Sequence, residues 1–396
     1  MSRTELVATY LAALPAGREA EAAEAFAIGQ SIGTWTPVPG ITEAMRRAHG
    51  GRVVEVREGS ADETAGGEDA TGSWVLRIGF PVANFGAQMP MLFTTLLGND
   101  PSTSIAARLV DVDVPAEYAA AFPGPGVGID GWRALTGVEG RPLLLNMIKP
   151  CTGFPPSVGA GFVREVAPGG PDLIKDDELL ANPDFSLVRD RARAYAAALD
   201  EVSRVTGQRP RYVANVTTRG RDLEATAQAA LEGGADALMV NVLAVGLDAF
   251  AALAETRPGV PILAHTAGVE TFTGSTRSGF GHALLIGRLV RLAGADAILL
   301  STPLASRPLP EPVFRTTVDG MRSPWVGLRP SAPMVGGGLT AAHVPALVRS
   351  VGTDVIIGVG GAIQGHPDGA AAGARAVRRA IDEAVDGLRM ASGASR

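Results

Sequence analysis

The sequence predicts an α/β protein in which a C-terminal (β/α)8 barrel follows an N-terminal α+β domain. From Pro142 onward, short apolar or β-branched runs alternate with longer amphipathic ones. Eight such strand-then-helix units in about 250 residues is the number that closes this kind of barrel. An open doubly wound sheet is the alternative, but such sheets usually carry a Gly-rich dinucleotide turn after the first strand, and none stands there.

The predicted barrel strands are Leu143 to Ile148, Asp172 to Asp176, Tyr212 to Val216, Ala237 to Val242, Pro261 to Ala264, Ala297 to Leu300, Ala332 to Val335 and Val355 to Val359. Helical patterns such as Asp184 to Thr206 and Asp222 to Glu232 fall between them. Upstream, Thr4 to Leu11 and Ser73 to Gly79 read as strands, Arg18 to Ile28 and Thr42 to His49 as helices, and Gly59 to Gly72 as an exposed hairpin loop. We therefore expect an α+β (ferredoxin-like) domain over 1–116 and the barrel over 117–396, joined near the Pro- and Gly-rich stretch from Phe122 to Gly128.

Composition narrows the function. Hydrophobic residues make up 46% of the 396 and charged residues 19%, with a formal net charge of −6. No basic field exists to hold nucleic acid or anionic lipid. The single cysteine, Cys151, makes no internal disulfide, and the longest apolar stretch, Leu238 to Leu253, is broken by Asn241 and Asp248. A soluble cytoplasmic protein is expected.

The most informative count is lysine: of 35 basic residues only Lys149 and Lys175 are lysines. A chain that uses arginine for its surface keeps a lysine where an amine is needed, because an amine can lose its proton when buried, act as a base, or react with a carbonyl or CO2. Both fall at strand C-terminal ends, where a (β/α)8 barrel places its active site. At corresponding heights they would enter one mouth, their charge offset by Asp176, Asp177 and Glu178. Alternation along the strand puts Lys175 and Asp177 on one side, and Glu178 can turn inward where the strand ends. These carboxylates suit an oxygen-loving cation such as Mg2+, or form an ordinary salt-bridged strand end.

Lys-Asp-Asp-Glu-Leu-Leu-Ala-Asn-Pro at 175 to 183, preceded by Gly169-Gly170, resembles the activation motif of the ribulose bisphosphate carboxylase (RuBisCO) large chain and its RuBisCO-like relatives. Arg141 to Leu144, running on to Ile148-Lys149-Pro150, resembles the family's first barrel strand. Gly33 to Thr36 and Gly98-Asn99 resemble N-terminal segments that reach a partner's site. Gly336 to Gly338, Gly360-Gly361 and Gly365-His366-Pro367 resemble the loops after the seventh and eighth strands. The resemblance runs nearly end to end. It implies CO2 carbamylation of Lys175, Mg2+ held by that carbamate with Asp177 and Glu178, Lys149 as the enolising base, and His265 as a proton or hydroxyl partner; burial beside the cation is expected to lower the pKa of Lys149. It also implies a homodimer with shared sites, in which Thr34, Trp35 and Asn99 serve the neighbouring subunit.

The departures point to the branch that does not fix CO2. No lysine stands in Ser301 to Pro308, where the carboxylases carry the one that positions CO2. Cys151 replaces a second lysine, Gly29 a glutamate, Thr266 an arginine, Leu299 a histidine and Gly336 a serine. Groups for a distal phosphate are thereby lost, while Thr34 and the backbone N–H groups around Gly337, Gly338, Gly360 and Gly361 remain for the other. The expected substrate is a keto-sugar or keto-acid with one phosphate, enolised and then tautomerised, isomerised, decarboxylated or cleaved. Asn99 stands where the methionine-salvage enolases carry a lysine, which counts against that activity. A non-catalytic relative that binds a phosphorylated metabolite is the other class to separate, and a true carboxylase the third. His49, His282 and His343, in helical patterns, are expected to serve surface or packing.

Overall fold

The computed structural model describes residues 4–33, 38–59 and 74–393. They fall into two compact units, one of Met1–Pro123, Gly268–Leu292 and Pro324–Leu328, the other of Gly124–Ala267, Ala293–Ser323 and Arg329–Arg396.

In the first unit, β1 (Glu5–Ala12) pairs antiparallel with β3 (Trp74–Pro81) and β4 (Ala107–Asp113), and β3 pairs antiparallel with β2 (Arg52–Glu58). Alternation in β1 buries Leu6, Ala8 and Tyr10 on one face. Tyr10 meets Phe26 of the helix Glu19–Gly29 edge-on, with ring centroids 5.0 Å apart. Its hydroxyl donates to the Leu96 carbonyl at 2.9 Å, which satisfies the polar end of a buried ring. The fifth strand is contributed from far along the chain: β10 (Gly279–Phe280) lies parallel to β4. The hairpin loop expected at Gly59 to Gly72 lies, beyond Gly59, outside the described residues.

The second unit is the predicted barrel, with all eight strands where the sequence places them. They are β5 (Leu143–Met147), β6 (Leu173–Lys175), β7 (Arg211–Asn215), β8 (Ala237–Asn241), β9 (Ile262–His265), β11 (Ala297–Ser301), β12 (Ala332–Gly336) and β13 (Ile356–Val359). β13 pairs parallel with β5 and closes the ring. Alternate residues fill the interior: Leu143, Leu145, Leu173, Val213, Met239, Leu263, Met334 and Ile356 form one buried cluster with Trp132 of the helix Gly128–Thr136.

The helix Val188–Thr206 shows how sequence builds the outer ring. Its buried positions, Val188, Arg191, Ala192, Tyr195, Ala198, Leu199 and Val202, recur at three- and four-residue intervals and form one stripe. Gly207 ends it at φ 73°, a left-handed conformation that glycine adopts without steric cost. Arg191 in that stripe is fully buried. Its guanidinium pairs with Asp176 (Nη2 to Oδ2, 3.0 Å) and donates to the carbonyls of Ser186 and Ala181. Arg191→Met is expected to cost about 3–5 kcal/mol, because it strands a buried carboxylate. A urea midpoint unchanged from wild type would contradict this.

Candidate active site at the barrel mouth

Lys149, Lys175, Asn215, Asn241 and His265, at or just past the C-terminal ends of β5 to β9, gather at one mouth around Asp177 and Glu178. β6 supplies the centre. Lys175, its last residue, is fully buried, and its amine donates to the Asp176 carbonyl at 2.8 Å. Desolvation by burial is the main force on it, only partly countered by Asp177, Glu178 and Asp176, and it lowers the pKa to about 8. Asp176 turns the other way, into the helix layer, where besides Arg191 it accepts from the Tyr212 hydroxyl (2.6 Å) and the Asn215 N–H (3.0 Å). Of the three carboxylates expected to offset the lysines, Asp176 is thus already committed to Arg191.

Lys149 and Lys175 do not stand at corresponding heights, as their strand ends predict. The register pairs Met147 with Lys175, so Lys149 lies two residues, about 6.6 Å of strand rise, farther along. Lys149 Nζ reaches Asp177 Oδ2 at 2.5 Å and Cys151 Sγ at 3.1 Å. Desolvation is the largest single influence on Lys149 and lowers its pKa, but the hydrogen bonds and charges of Asp177 and Cys151 together outweigh it and hold the ammonium above its ordinary range. Burial beside a cation is expected to lower it, and burial does act in that direction, but in this arrangement the pKa lies on the raised side. The reason is the partner carboxylate, whose own pKa is held below its usual value by Lys149 despite burial.

Glu178 follows at the strand exit, its side chain one-third exposed, with Oε2 3.7 Å from His265 Nε2. His265 is the last residue of β9 and is buried. Burial first, then the nearby lysines, push its pKa down to about 3, so the ring is neutral. The Ala267 N–H donates to Nδ1 at 3.2 Å, which leaves the ring proton on Nε2, facing Glu178.

Residues not singled out in the sequence hold this arrangement. Asn215, last in β7, donates through Nδ2 to the Asp177 and Glu178 carbonyls, both at 3.1 Å. Asn241, last in β8, donates to the Glu178 carbonyl at 3.0 Å, and its own Oδ1 is buried with no hydrogen-bond partner. Asn146 in β5 donates to the Val359 carbonyl (2.9 Å) and accepts from Gln364 (2.7 Å), tying the first strand to the turn after the eighth. A readable signal marks all three: an asparagine near the end of an apolar strand run, as in Leu-Leu-Leu-Asn, Tyr-Val-Ala-Asn and Leu-Met-Val-Asn.

The glycine loops border the same mouth. Gly337 and Gly338 have φ of 101° and 77°, and a Cβ on Gly338 would lie 3.1 Å from Ser306 Oγ in the loop after β11. Ser306 donates its N–H to the Gly337 carbonyl at 3.0 Å. A Cβ on Gly360 would come within 3.3 Å of Lys149 Cε, so this loop packs directly against the lysine. Gly361 opens the short helix Gly361–Gln364, with nothing within 4 Å of where a Cβ would sit. Thr266, buried after β9, donates its hydroxyl to the Leu299 backbone carbonyl at 2.8 Å.

Thr34 and Trp35 lie outside the described residues. Asn99 is exposed in the first unit, after the helix Met89–Leu97. There too, a Cβ on Gly29 would fall 1.9 Å from Asp100 Oδ2, which leaves no room for a glutamate. His49 is exposed, His282 buried, and His343 accepts the Thr340 N–H as part of a helix cap, all surface or packing roles. No helix among the described residues is long and apolar enough to cross a membrane.

Fold and mouth together define a (β/α)8-barrel protein with an α+β unit and a lysine–carboxylate–histidine centre. The chain belongs to the RuBisCO large-chain family. Residues 128–306 and 312–396 match the model of the ribulose bisphosphate carboxylase large chain catalytic domain, and residues 1–118 that of its N-terminal domain. A ribulose bisphosphate carboxylase-like protein of Archaeoglobus fulgidus is 40% identical over 96% of this chain and 88% of its own length. A 2,3-diketo-5-methylthiopentyl-1-phosphate enolase of Geobacillus kaustophilus is 37% identical over 92% and 89%. The crystal structure of a rubisco-like protein (MtnW) from Alicyclobacillus acidocaldarius superposes with a TM-score of 0.87 at 34% identity, covering 97% of this chain and 95% of that one.

Proposed function

We propose that this chain is an enzyme that enolises a phosphorylated keto compound bearing one phosphate, and that it does not fix CO2. The observation that carries the reading is the convergence of the only two lysines with Asp177, Glu178 and a neutral His265 at one barrel mouth.

A divalent cation fits these residues under one condition. Among the described residues no three His, Cys, Asp or Glu side chains are grouped to hold a metal. Asp177 and Glu178 are one anionic donor short, and a carbamate on Lys175 would complete the set. An amine with its pKa near 8 is largely neutral at mildly alkaline pH, the form that reacts with CO2. The unpartnered Oδ1 of Asn241 leaves a further buried acceptor beside Glu178. When bound there, Mg2+ would stabilise negative charge developing on the substrate's carbonyl oxygen.

The chain's own groups would do the rest. Lys149 takes the proton next to the carbonyl once Asp177 has left it and its ammonium has released a proton to solvent. His265 offers its Nε2 proton to a substrate oxygen and, being neutral, adds no charge. Gly337, Gly338, Gly360 and Gly361 present backbone N–H groups to the phosphate, with Thr34 and Trp35 as further contacts. Thr266 and Leu299 bring no charge to the mouth, which suits a substrate whose other end carries no second phosphate. The substrate of the related enolases, a diketo monophosphate with a thioether tail, has that form. Asn99 in place of their lysine leaves Lys149 as this chain's base. A homodimer in which Asn99, Thr34 and Trp35 serve the partner's site completes the reading.

Turnover of a panel of keto-sugar and keto-acid monophosphates is expected to require both Mg2+ and bicarbonate, with no labelled bicarbonate appearing in product. Incorporation of label into product from ribulose bisphosphate would instead make the chain a carboxylase. Ligand binding that is indifferent to Lys175→Ala, with no turnover by wild type, would favour a non-catalytic binding protein.

A further inference from the structure

A cleft lies at the N-terminal end of the barrel strands, opposite the mouth, within the second unit. This cleft of about 820 Å3 is lined by Arg141, Arg209, Arg211, Arg375 and Arg378 together with Asp172. Its volume lies in the range of about 300–1,000 Å3 usual for small-molecule sites. The Gly169-Gly170 turn forms part of its wall. A Cβ on Gly169 would sit 2.5 Å from the Ala371 carbonyl, so the turn lies directly against the helix Ala370–Gly393, which carries Arg375 and Arg378.

Five guanidinium groups outnumber the two carboxylates that line the cleft, Asp172 and Asp382, and so leave it positively charged in a chain of net charge −6. Asp172 is shared by Arg141 (2.8 Å) and Arg378 (2.7 Å), and Asp236 by Arg209 (3.0 Å) and Arg211 (3.4 Å). The remaining partner of Arg209 is Asp200 at 2.7 Å. Arg375 is exposed and makes no ion pair among the described residues. Arg378 Nη1 is buried with no hydrogen-bond partner, although Nη2 has two, the Gly170 carbonyl and Asp172. A buried guanidinium nitrogen without an acceptor keeps its charge uncompensated, which adds to the positive field at the cleft. Guanidinium is also the side chain best matched to phosphate, through paired N–H donors. The lining contains no aromatic residue on which a nucleobase could stack.

We infer that this cleft is a second ligand site, separate from the mouth, for a small molecule bearing two or more phosphate groups and no required base. The inference does not depend on the reaction proposed for the mouth.

Calorimetric titration of the full-length protein with inorganic pyrophosphate tests it. Wild type is expected to show a saturable event that weakens with added salt. The affinity should fall about tenfold or more in R211A/R375A, consistent with loss of charge-assisted hydrogen bonds. R375A alone, altered only on an exposed helix face, should show a smaller loss and serves as the folding control. The event should persist in G337V, which alters the loop proposed for substrate phosphate, and ADP should bind no more tightly than pyrophosphate. Absence of saturable binding, or an affinity unchanged in both arginine variants, would overturn the site. Loss of the event in G337V alone would assign it to the mouth, and distinctly tighter binding of ADP would overturn the ligand class.

Discussion

Lys175→Met should abolish turnover while making the protein more stable near neutral pH. The activity loss follows from removing the residue that would complete the cation site, worth several kcal/mol of charge stabilisation and so about a thousandfold or more in kcat/KM. The stability gain follows from the amine's burial. Its folded pKa of about 8 lies below the ordinary 10.5, so at neutral pH the native state carries a buried charge that the unfolded chain keeps in water. That penalty, roughly 3 kcal/mol at one 1.36 kcal/mol step per unit, is present in full below pH 8. It fades between pH 8 and 10.5, where the unfolded state holds the proton that the native state has released. Wild-type stability should therefore rise with pH across that window, and the variant's advantage should shrink. Chemical denaturation at pH 7 and at pH 10 measures both arms, and a variant no more stable than wild type at pH 7 would contradict the account.

Lys149→Met should lower kcat by about 10²- to 10⁴-fold, the usual contribution of a positioned general base, and leave substrate affinity nearly intact. Lys149 borders the Gly360 loop but is not needed to supply its N–H donors. Its ion pair with Asp177 holds the amine protonated. Asp177→Asn should weaken that hold yet still lose activity, because it also removes an anionic donor from the proposed cation site. Steady-state kinetics of the two variants separate the roles. A large rise in KM with unchanged kcat in Lys149→Met would show that the lysine binds rather than reacts.

The barrel is legible in the sequence because each strand is a short apolar run followed by an amphipathic stretch, and Lys149 and Lys175 stand out in a chain that otherwise uses arginine. Other features are not legible, for specific reasons. β10 is two residues long and pairs with β4, which lies some 170 positions earlier in the chain, so no local period announces it. The raised pKa of Lys149 depends on which carboxylate its flexible chain reaches, which strand alternation does not specify. Asp176 belongs to the same motif as Asp177, yet its role is set by Arg191 and Tyr212 from two other elements. Asn215 and Asn241 stand out as asparagines closing apolar strand runs, but the backbone carbonyls of Asp177 and Glu178 that they bind leave no spacing pattern.

The most direct test of the central claim is exchange of the substrate's α-proton with solvent D2O, followed by NMR with a keto monophosphate that the enzyme turns over. Wild type with Mg2+ and bicarbonate should exchange that proton at or above the rate of turnover, and Lys149→Met should not. Turnover by wild type without exchange, or undiminished exchange in Lys149→Met, would contradict enolisation at this mouth.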